Sequence, residues 1–379
     1  RGNNEGSIRQ RRDGRWEAQY SVKRPEDGKT VRRSLYANSR QEVQTKLHEV
    51  LLSIDRDEYI EPSQITVQEW LYTWLRIYCL NLKKNSTCTG YEDEIKLHLT
   101  PYLGHLKLQE LKPLDVQLAI NKLIHQGKAP TTVRKAHAIL RAALRQAEIN
   151  QMIRHNPCEY TVLPKLERGE IRYLSQNEQR RFIDNLPDNA TGRALYFILG
   201  TGIRASELAG LRWSDVQDDR FTIRQTVRRN RDFSEDAKTR TRLEYSTPKT
   251  RAGRRTIPLT IKMQELLREH RRMQTATCLA KGEEWNDNNL VFCTEIGTPY
   301  EVRNLNRFLH RTLENAELGV MGVHSLRHTF ATRAVESGMD MRMLSEILGH
   351  AQVALTLQLY AHSNIELKKK EMEKMDAFL

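Results

Sequence analysis

The sequence predicts a multidomain α+β chain: a small three-stranded β-sheet plus one helix, then an all-α helical bundle, then a mostly α domain with a small antiparallel sheet. Three observations lead there. The 379 residues exceed the size of one compact domain, usually about 100–200 residues. Apolar alternation with a period of two is concentrated near the N-terminus, whereas the rest follows mainly helical spacing. Short connections at 55–64, with Pro62, and at 165–172 separate these stretches. They set expected boundaries of 1–64, 65–165 and 166–379.

Within 1–64, Ser7 to Arg11 reads as a first strand and Asp13-Gly14 as a turn. Trp16, Ala18, Tyr20 and Val22 alternate with polar residues as a second strand. Pro25 to Gly28 marks another turn and Thr30 to Tyr36 a third strand. Ser39 then caps a helix reaching Ile54, with Val43, Leu47, Val50, Leu51 and Ile54 on one face, enough to cover the sheet. Arg9, Arg11, Arg12, Arg15, Arg32 and Arg33 are concentrated on strands and turns. They make the sheet a candidate DNA surface, although the same charges also protect a sheet edge from aggregation.

In 65–165 the helical stretches are Val67 to Leu82, Ser86 to Leu97, Leu114 to Gly127 and Thr131 to Ile149, with Gly104 and Pro113 marking connections. Lys83, Lys84, Thr131, Thr132, Arg134 and Lys135 gather near helix starts, which favour anions. They read either as the lining of a phosphate groove or as ordinary solvated surface. Beyond 166, Tyr173-Leu174-Ser175-Gln176-Asn177-Glu178 opens a helix with a capping box. Strand-like pieces at Asp219 to Val227, Glu244 to Pro248 and Arg254 to Leu259 interrupt an otherwise helical pattern.

Lys and Arg number 61 against 48 Asp and Glu, a net charge of +13 that attracts polyanions, nucleic acid first among them. No apolar run approaches the roughly 18 residues of a spanning helix, and no signal-peptide core opens the chain, so no membrane partner and a cytoplasmic, nucleoid-associated location are expected. The first residue is Arg1 rather than Met, and a missing native N-terminus is expected. Cys79, Cys88, Cys158, Cys278 and Cys293 are scattered and odd in number, which indicates neither a disulfide framework nor a thiolate zinc site.

Chemistry concentrates in five places. His324-Ser-Leu-Arg327-His328-Thr-Phe330 should lie on a helix running to about Glu336. His324 and His328 have zinc-pair spacing, but the Glu of HExxH is absent and Arg327 would put a cation beside the metal. An Arg three residues from a His instead suits a phosphate, since the guanidinium forks onto two oxygens and the imidazole carries a proton; taken alone, the pair reads nearly as well as a buried structural His or Arg. Leu348-Gly349-His350 follows, with Tyr360 ten residues beyond that His; alone, a Tyr in an apolar helix reads as core. Upstream, Gly200-Thr201-Gly202-Ile203-Arg204 is a glycine-containing turn into a helix, with Glu207 one turn on to orient Arg204. It lacks the Gly-Lys-Ser/Thr of a nucleotide-binding loop. Thr247-Pro248-Lys249 begins a hairpin-like connection to Arg254, and composition does not single out Lys249 from its basic neighbours.

Taken in order, Thr201-Gly202-Ile203-Arg204 with Glu207, Thr247-Pro248-Lys249, His324 to Phe330, Leu348-Gly349-His350 and Leu359-Tyr360 resemble the signature of the tyrosine recombinase, or phage integrase, family. The whole chain further resembles the integrases of conjugative transposons, which join an arm-binding sheet domain, a core-binding helical domain and a catalytic domain. The resemblance implies that Tyr360 attacks a DNA phosphodiester to form a 3′-phosphotyrosyl bond, with no cofactor, metal or ATP. It implies His324 as proton acceptor, Arg204 and Arg327 as clamps on the non-bridging oxygens, His350 as a further donor and Lys249 as acid for the 5′ oxygen. Expected partners are double-stranded DNA at core and arm-type sites, further copies in a dimer and a synaptic tetramer, a directionality factor and a host DNA-bending protein. Ile365, Met372, Met375, Phe378 and Leu379 would form the apolar face of a tail helix packing on a neighbouring subunit. A type IB topoisomerase-like enzyme and a non-catalytic DNA-binding regulator are the alternatives.

Overall fold

The computed structural model describes residues 6–23, 29–56, 59–166, 172–234, 236–248, 251–350, 352–354, 372–373 and 376. Lys249, Tyr360, the turn at 25–28 and nearly all of the tail beyond 364 lie outside the described residues. The chain divides into two compact units, Arg1–Glu167 and Arg168–Leu379.

The first unit opens with strands β1 (Ser7–Gln10), β2 (Trp16–Lys23) and β3 (Thr30–Ala37), an antiparallel sheet in that order. Helix α1 (Arg40–Asp55) starts where the Ser39 hydroxyl accepts from the Glu42 N–H, satisfying a donor that the first turn leaves unpaired. Val43 and Leu47 of α1 are buried against Ala18, Tyr20 and Ala37. Each such side chain contributes about 1.5–3 kcal/mol. The pairing of Glu17 with both Arg9 and Tyr36 puts those three on the face away from α1.

Helices α2 (Val67–Trp74), α3 (Asn85–Glu94), α4 (Thr100–Leu103), α5 (Pro113–His125) and α6 (Pro130–Ile149) follow. The first two of the expected helices are each widened by a π-helical turn, at Leu75–Cys79 and Ile95–Leu99. Each turn keeps two apolar residues inside, Leu75 with Cys79 and Ile95 with Leu99. Trp70 donates its indole N–H to the Ala143 carbonyl at 2.8 Å, tying α2 to α6.

The second unit comprises α7 (Gln176–Asp184), α8 (Ala190–Thr201), α9 (Ala205–Leu208), strands β4 (Arg220–Thr222), β5 (Thr226–Arg231), β6 (Thr241–Ser246) and β7 (Thr256–Pro258), and α10 (Ile261–Lys281), α11 (Val302–Asn315), α12 (Val323–Glu336) and α13 (Met341–Leu348). The Ser175–Glu178 capping box forms as expected. The strands differ from expectation. The piece read as one strand over Asp219 to Val227 breaks between Thr222 and Thr226, and its halves pair apart, β4 with β7 and β5 with β6. The Ile223 N–H bonds the Arg255 carbonyl and the Gln225 side chain bonds the Gly210 carbonyl, which turns the chain between two ribbons. The connection after Thr247 therefore runs from one ribbon to the other rather than closing a hairpin.

Helix α8 is buried on nearly all sides, its Phe197 ring meeting Phe221 and Phe292 at 5.2 and 5.1 Å. Ala331, Ala334 and Val335 of α12 pack on Leu344 and Leu348 of α13. These two contacts fix the ends of α8 and α13 relative to the start of α12, where the functional side chains converge.

Candidate active site

Two left-handed glycines end the two helices that deliver the site. Gly202 terminates α8 at φ +67, and a Cβ there would lie 2.5 Å from the Phe330 ring. Gly349 terminates α13 at φ +65, where a Cβ would lie 2.9 Å from both the Ala252 carbonyl oxygen and Arg255 Nη1. Glycine meets both demands, a positive φ and a close approach. Arg204 follows the first turn and His350 the second; His324 and Arg327 occupy the first two turns of α12.

Glu207 is 2% exposed. Its carboxylate accepts from the Arg204 backbone N–H at 3.1 Å and from Arg204 Nη1 at 2.8 Å. On its other side it takes a two-pronged bond from Arg255, Nη1 to Oε1 at 3.0 Å and Nη2 to Oε2 at 2.9 Å. Burial pushes the Glu207 pKa up, but the bonds and charge of Arg255 and the charge of Arg204 outweigh it, so the carboxyl stays below its ordinary value.

The last carbonyls of α13 and its cap each receive a different arginine. Arg255 Nε donates to Ile347 O at 2.5 Å, Arg327 Nη2 to Leu348 O at 2.6 Å, and Arg204 Nη2 to Gly349 O at 3.4 Å. The carbonyl end of a helix is its negative pole and lacks intrahelical partners, so it draws three like charges to one place. Arg327 also donates through Nη1 to Gly202 O at 2.8 Å and meets His350 Nε2 at 3.0 Å. With Arg327 as donor, His350 Nε2 is the acceptor and the ring is neutral, its proton on Nδ1. Partial burial, then the charges of Arg327, Arg204 and Arg255, lower the His350 pKa to about 4.

His324 has the solvent access of an exposed residue, yet desolvation by the surrounding protein, followed by Arg327 and Arg204, still lowers its pKa. His328 packs edge-on against it, ring centres 4.7 Å apart.

The structure thus brings Arg204, Glu207, His324, Arg327 and His350 together. Of the two arginines expected to clamp a phosphate, Arg327 lies 1% exposed, whereas the Arg204 side chain is 31% exposed. Sequence reasoning missed Arg255. The available signal was strand alternation: Arg255 shares its face with Ile257, which is buried.

The expected DNA-binding residues are dispersed within the first unit. Arg9 bonds Glu17 at 2.7 Å on the open sheet face, which Arg32 shares by register. Arg11 and Arg15 bring their guanidinium groups to 5.3 and 5.9 Å from the Tyr36 ring centre, and Arg12 is exposed beside them. Arg33 points to the other face and pairs with Glu61. Lys83 lies 5.9 Å from the Tyr91 ring centre, Lys84 directly precedes α3 without a side-chain capping bond, and Thr131 and Thr132 stand in the first turn of α6. Arg134 is tied to the Pro164 carbonyl at 2.9 Å and Lys135 to Glu94 at 2.9 Å.

Residues 172–366, more than half of the chain, match the phage integrase family, and residues 66–124 match the N-terminal SAM-like domain of phage integrases. The chain belongs to the phage integrase family. This recombinase is 27% identical over 369 residues to a tyrosine recombinase XerC-like protein of Caldanaerobacter subterraneus subsp. tengcongensis, covering 94% of each chain. It is 23% identical over 308 residues to the transposase from transposon Tn916 of Enterococcus faecalis, covering 77% of this chain and 73% of that one. Its fold matches the Tn1549 transposon integrase solved with transposon right end DNA, at a TM-score of 0.67 and 22% identity over 82% of this chain and 99% of the other. The lambda integrase dimer solved on a core site matches at 0.59 and 18% identity, covering 95% of each. The recombinase is a site-specific enzyme of the kind carried by mobile elements, which cuts and rejoins DNA; the topoisomerase and non-catalytic readings are not favoured. No described helix is long and apolar enough to cross a membrane.

Proposed function

We propose that the recombinase exchanges strands of double-stranded DNA through a 3′-phosphotyrosyl bond made by Tyr360, over a site formed by Arg204, His324, Arg327, His350 and Lys249. The carrying observation is the meeting of α8, α12 and α13, which gathers two arginines and two neutral-tending histidines from positions 146 residues apart in the chain, 204 to 350. Attack on a phosphodiester needs a proton acceptor for the Tyr hydroxyl, whose ordinary pKa is about 10, and cations for the charge that develops on the non-bridging oxygens. His324, kept neutral by its surroundings, is the acceptor. An arriving phosphate offsets the cations around it and raises its basicity when the proton must move. Arg204 presents its exposed guanidinium to the phosphate, Arg327 adds charge from beneath and holds His350, and His350 donates from Nδ1. Lys249 protonates the departing 5′ oxygen, which an arginine does far less readily. The released hydroxyl then attacks the partner strand's linkage, conserving the bond without ATP.

Residues 1–64 act on arm-type DNA through the open sheet face, 65–165 on the core site and 166–379 in catalysis. The tail beyond 364 packs on a neighbour in a dimer or synaptic tetramer, in the cytoplasm beside the nucleoid, with a directionality factor and a host bending protein assisting. The test is a nicked suicide duplex spanning the joined ends of the encoding element's circular form. Wild type should leave an SDS-resistant adduct and Tyr360→Phe none; equal yields would overturn the nucleophile assignment. Deleting residues 1–64 should remove a distal footprint and spare the core one.

A further inference from the structure

We propose that Arg255 is a positioning residue that neutralises Glu207, so that the positive charge of Arg204 remains available to the scissile phosphate. This rests on the proposed function of the same site and deepens it.

Glu207 orients Arg204 through two bonds, and a carboxylate that close also cancels the charge it orients. An arginine locked to one buried carboxylate offers a phosphate little net field, because the pair is neutral and low polarity around it strengthens the mutual hold. Glu207 in this structure has a second, better-buried partner. Arg255 is 7% exposed against 31% for Arg204, and it occupies both carboxylate oxygens in the planar fork geometry that arginine favours. Two guanidinium groups against one carboxylate leave one positive charge, and burial assigns that surplus to the exposed member. The remaining Arg255 donor goes to Ile347 O, two residues from the Gly349 carbonyl that Arg204 itself touches. The counter-ion of Glu207 and the turn bearing His350 are therefore set by one side chain.

Loss of Arg255 leaves Glu207 with Arg204 as its only partner among these bonds, and Arg204 is drawn inward. Adduct formation by Arg255→Gln on the nicked duplex should fall on the order of 10²-fold, comparable with removal of a preorganised charge donor. Removing the surplus negative charge should then help rather than hurt. Assayed well below the melting temperature of every variant, so that relief of a buried, under-paired carboxylate is not read as regained folding, Arg255→Gln combined with Glu207→Gln should recover roughly 10-fold over Arg255→Gln alone. Arg255→Lys, which keeps the charge and loses the fork, should stay within about 10-fold of wild type. A double variant no faster than Arg255→Gln overturns the proposal, as does an Arg255→Gln enzyme within about twofold of wild type. Should Arg255→Gln not fold, a folded Arg255→Lys enzyme slowed 100-fold overturns it, and one within about 10-fold supports it. Tyr360→Phe in parallel separates the two claims: persistence of its adduct sinks the nucleophile, whereas an adduct dependent on Tyr360 with no recovery by Glu207→Gln sinks only the role of Arg255.

Discussion

Replacing Arg327 tests whether a residue expected to hold phosphate also holds the protein together. A residue serving only DNA could be truncated without effect on folding. Arg327 instead lies 1% exposed and donates to Gly202 O and Leu348 O, the carbonyl ends of α8 and α13. Arg327→Ala strips a partner from two buried carbonyls at about 1–3 kcal/mol each, so the cost is roughly 2–6 kcal/mol. For a unit of about 200 residues, each kcal/mol moves Tm by about 2–4 °C. A mid-range loss of about 4 kcal/mol thus lowers the melting point of the second unit by roughly 8–16 °C. Arg327→Lys reaches one carbonyl and should lose about half as much. Scanning calorimetry of the full chain without DNA is the direct assay, because it excludes any contribution from phosphate binding. A DNA-free Arg327→Ala protein melting within about 1 °C of wild type would refute the reasoning and return Arg327 to a purely substrate-facing role.

Gly202→Ala combines a strained positive φ with a collision on Phe330 and should cost about 1–3 kcal/mol, whereas Gly14→Ala, also at positive φ but in open space, pays only the backbone part; paired denaturant titrations compare them. His270, His328 and His350 all have pKa values of about 4, burial being the first cause in each. Between about pH 6.5 and pH 4 the unfolded chain therefore binds protons that the folded chain refuses, and stability falls as pH drops. The fully buried His270 alone accounts for about 3 kcal/mol across that window, and an unchanged melting point from pH 7.5 to pH 5 would contradict it. Arg12→Ala with Arg32→Ala should weaken binding to an arm-site duplex and flatten the dependence of log affinity on log salt by about 1–2, measured by anisotropy. Adduct formation on a core-only duplex should not change.

Much of the fold was legible because local chemistry and tertiary packing agreed. Ser39 caps α1 and Ser175 caps α7 as their side chains dictate, and the run from His324 is helical to Glu336. The ribbons were harder to read. Asp219 to Val227 has strand composition throughout, and the break in it comes from bonds to Arg255 and Gly210, which are distant in sequence. The π-turns at Leu75–Cys79 and Ile95–Leu99 likewise answer to packing rather than to propensity. Within the site, Arg204, Glu207, His324, Arg327 and His350 could be gathered by the resemblance of their motifs, taken in order, to the phage integrase signature. The pairing of Arg255 with Glu207, 48 residues away, could not, nor could the seating of Arg327 on the Gly202 and Leu348 carbonyls, and a carbonyl has no letter in the sequence.

That last point bears on how this site tolerates change. Because the acceptors at 347, 348 and 349 belong to the main chain, substituting Ile347 or Leu348 leaves the acceptors themselves in place. Helix length is a different matter. One residue inserted into α13 would rotate its terminus by about 100° and advance it about 1.5 Å, unseating three arginines in a single step. The acceptors therefore outlast a change of side chain but not a change of length, and the spacing from Asp340 at the start of α13 to His350 behaves as a ruler rather than as a motif.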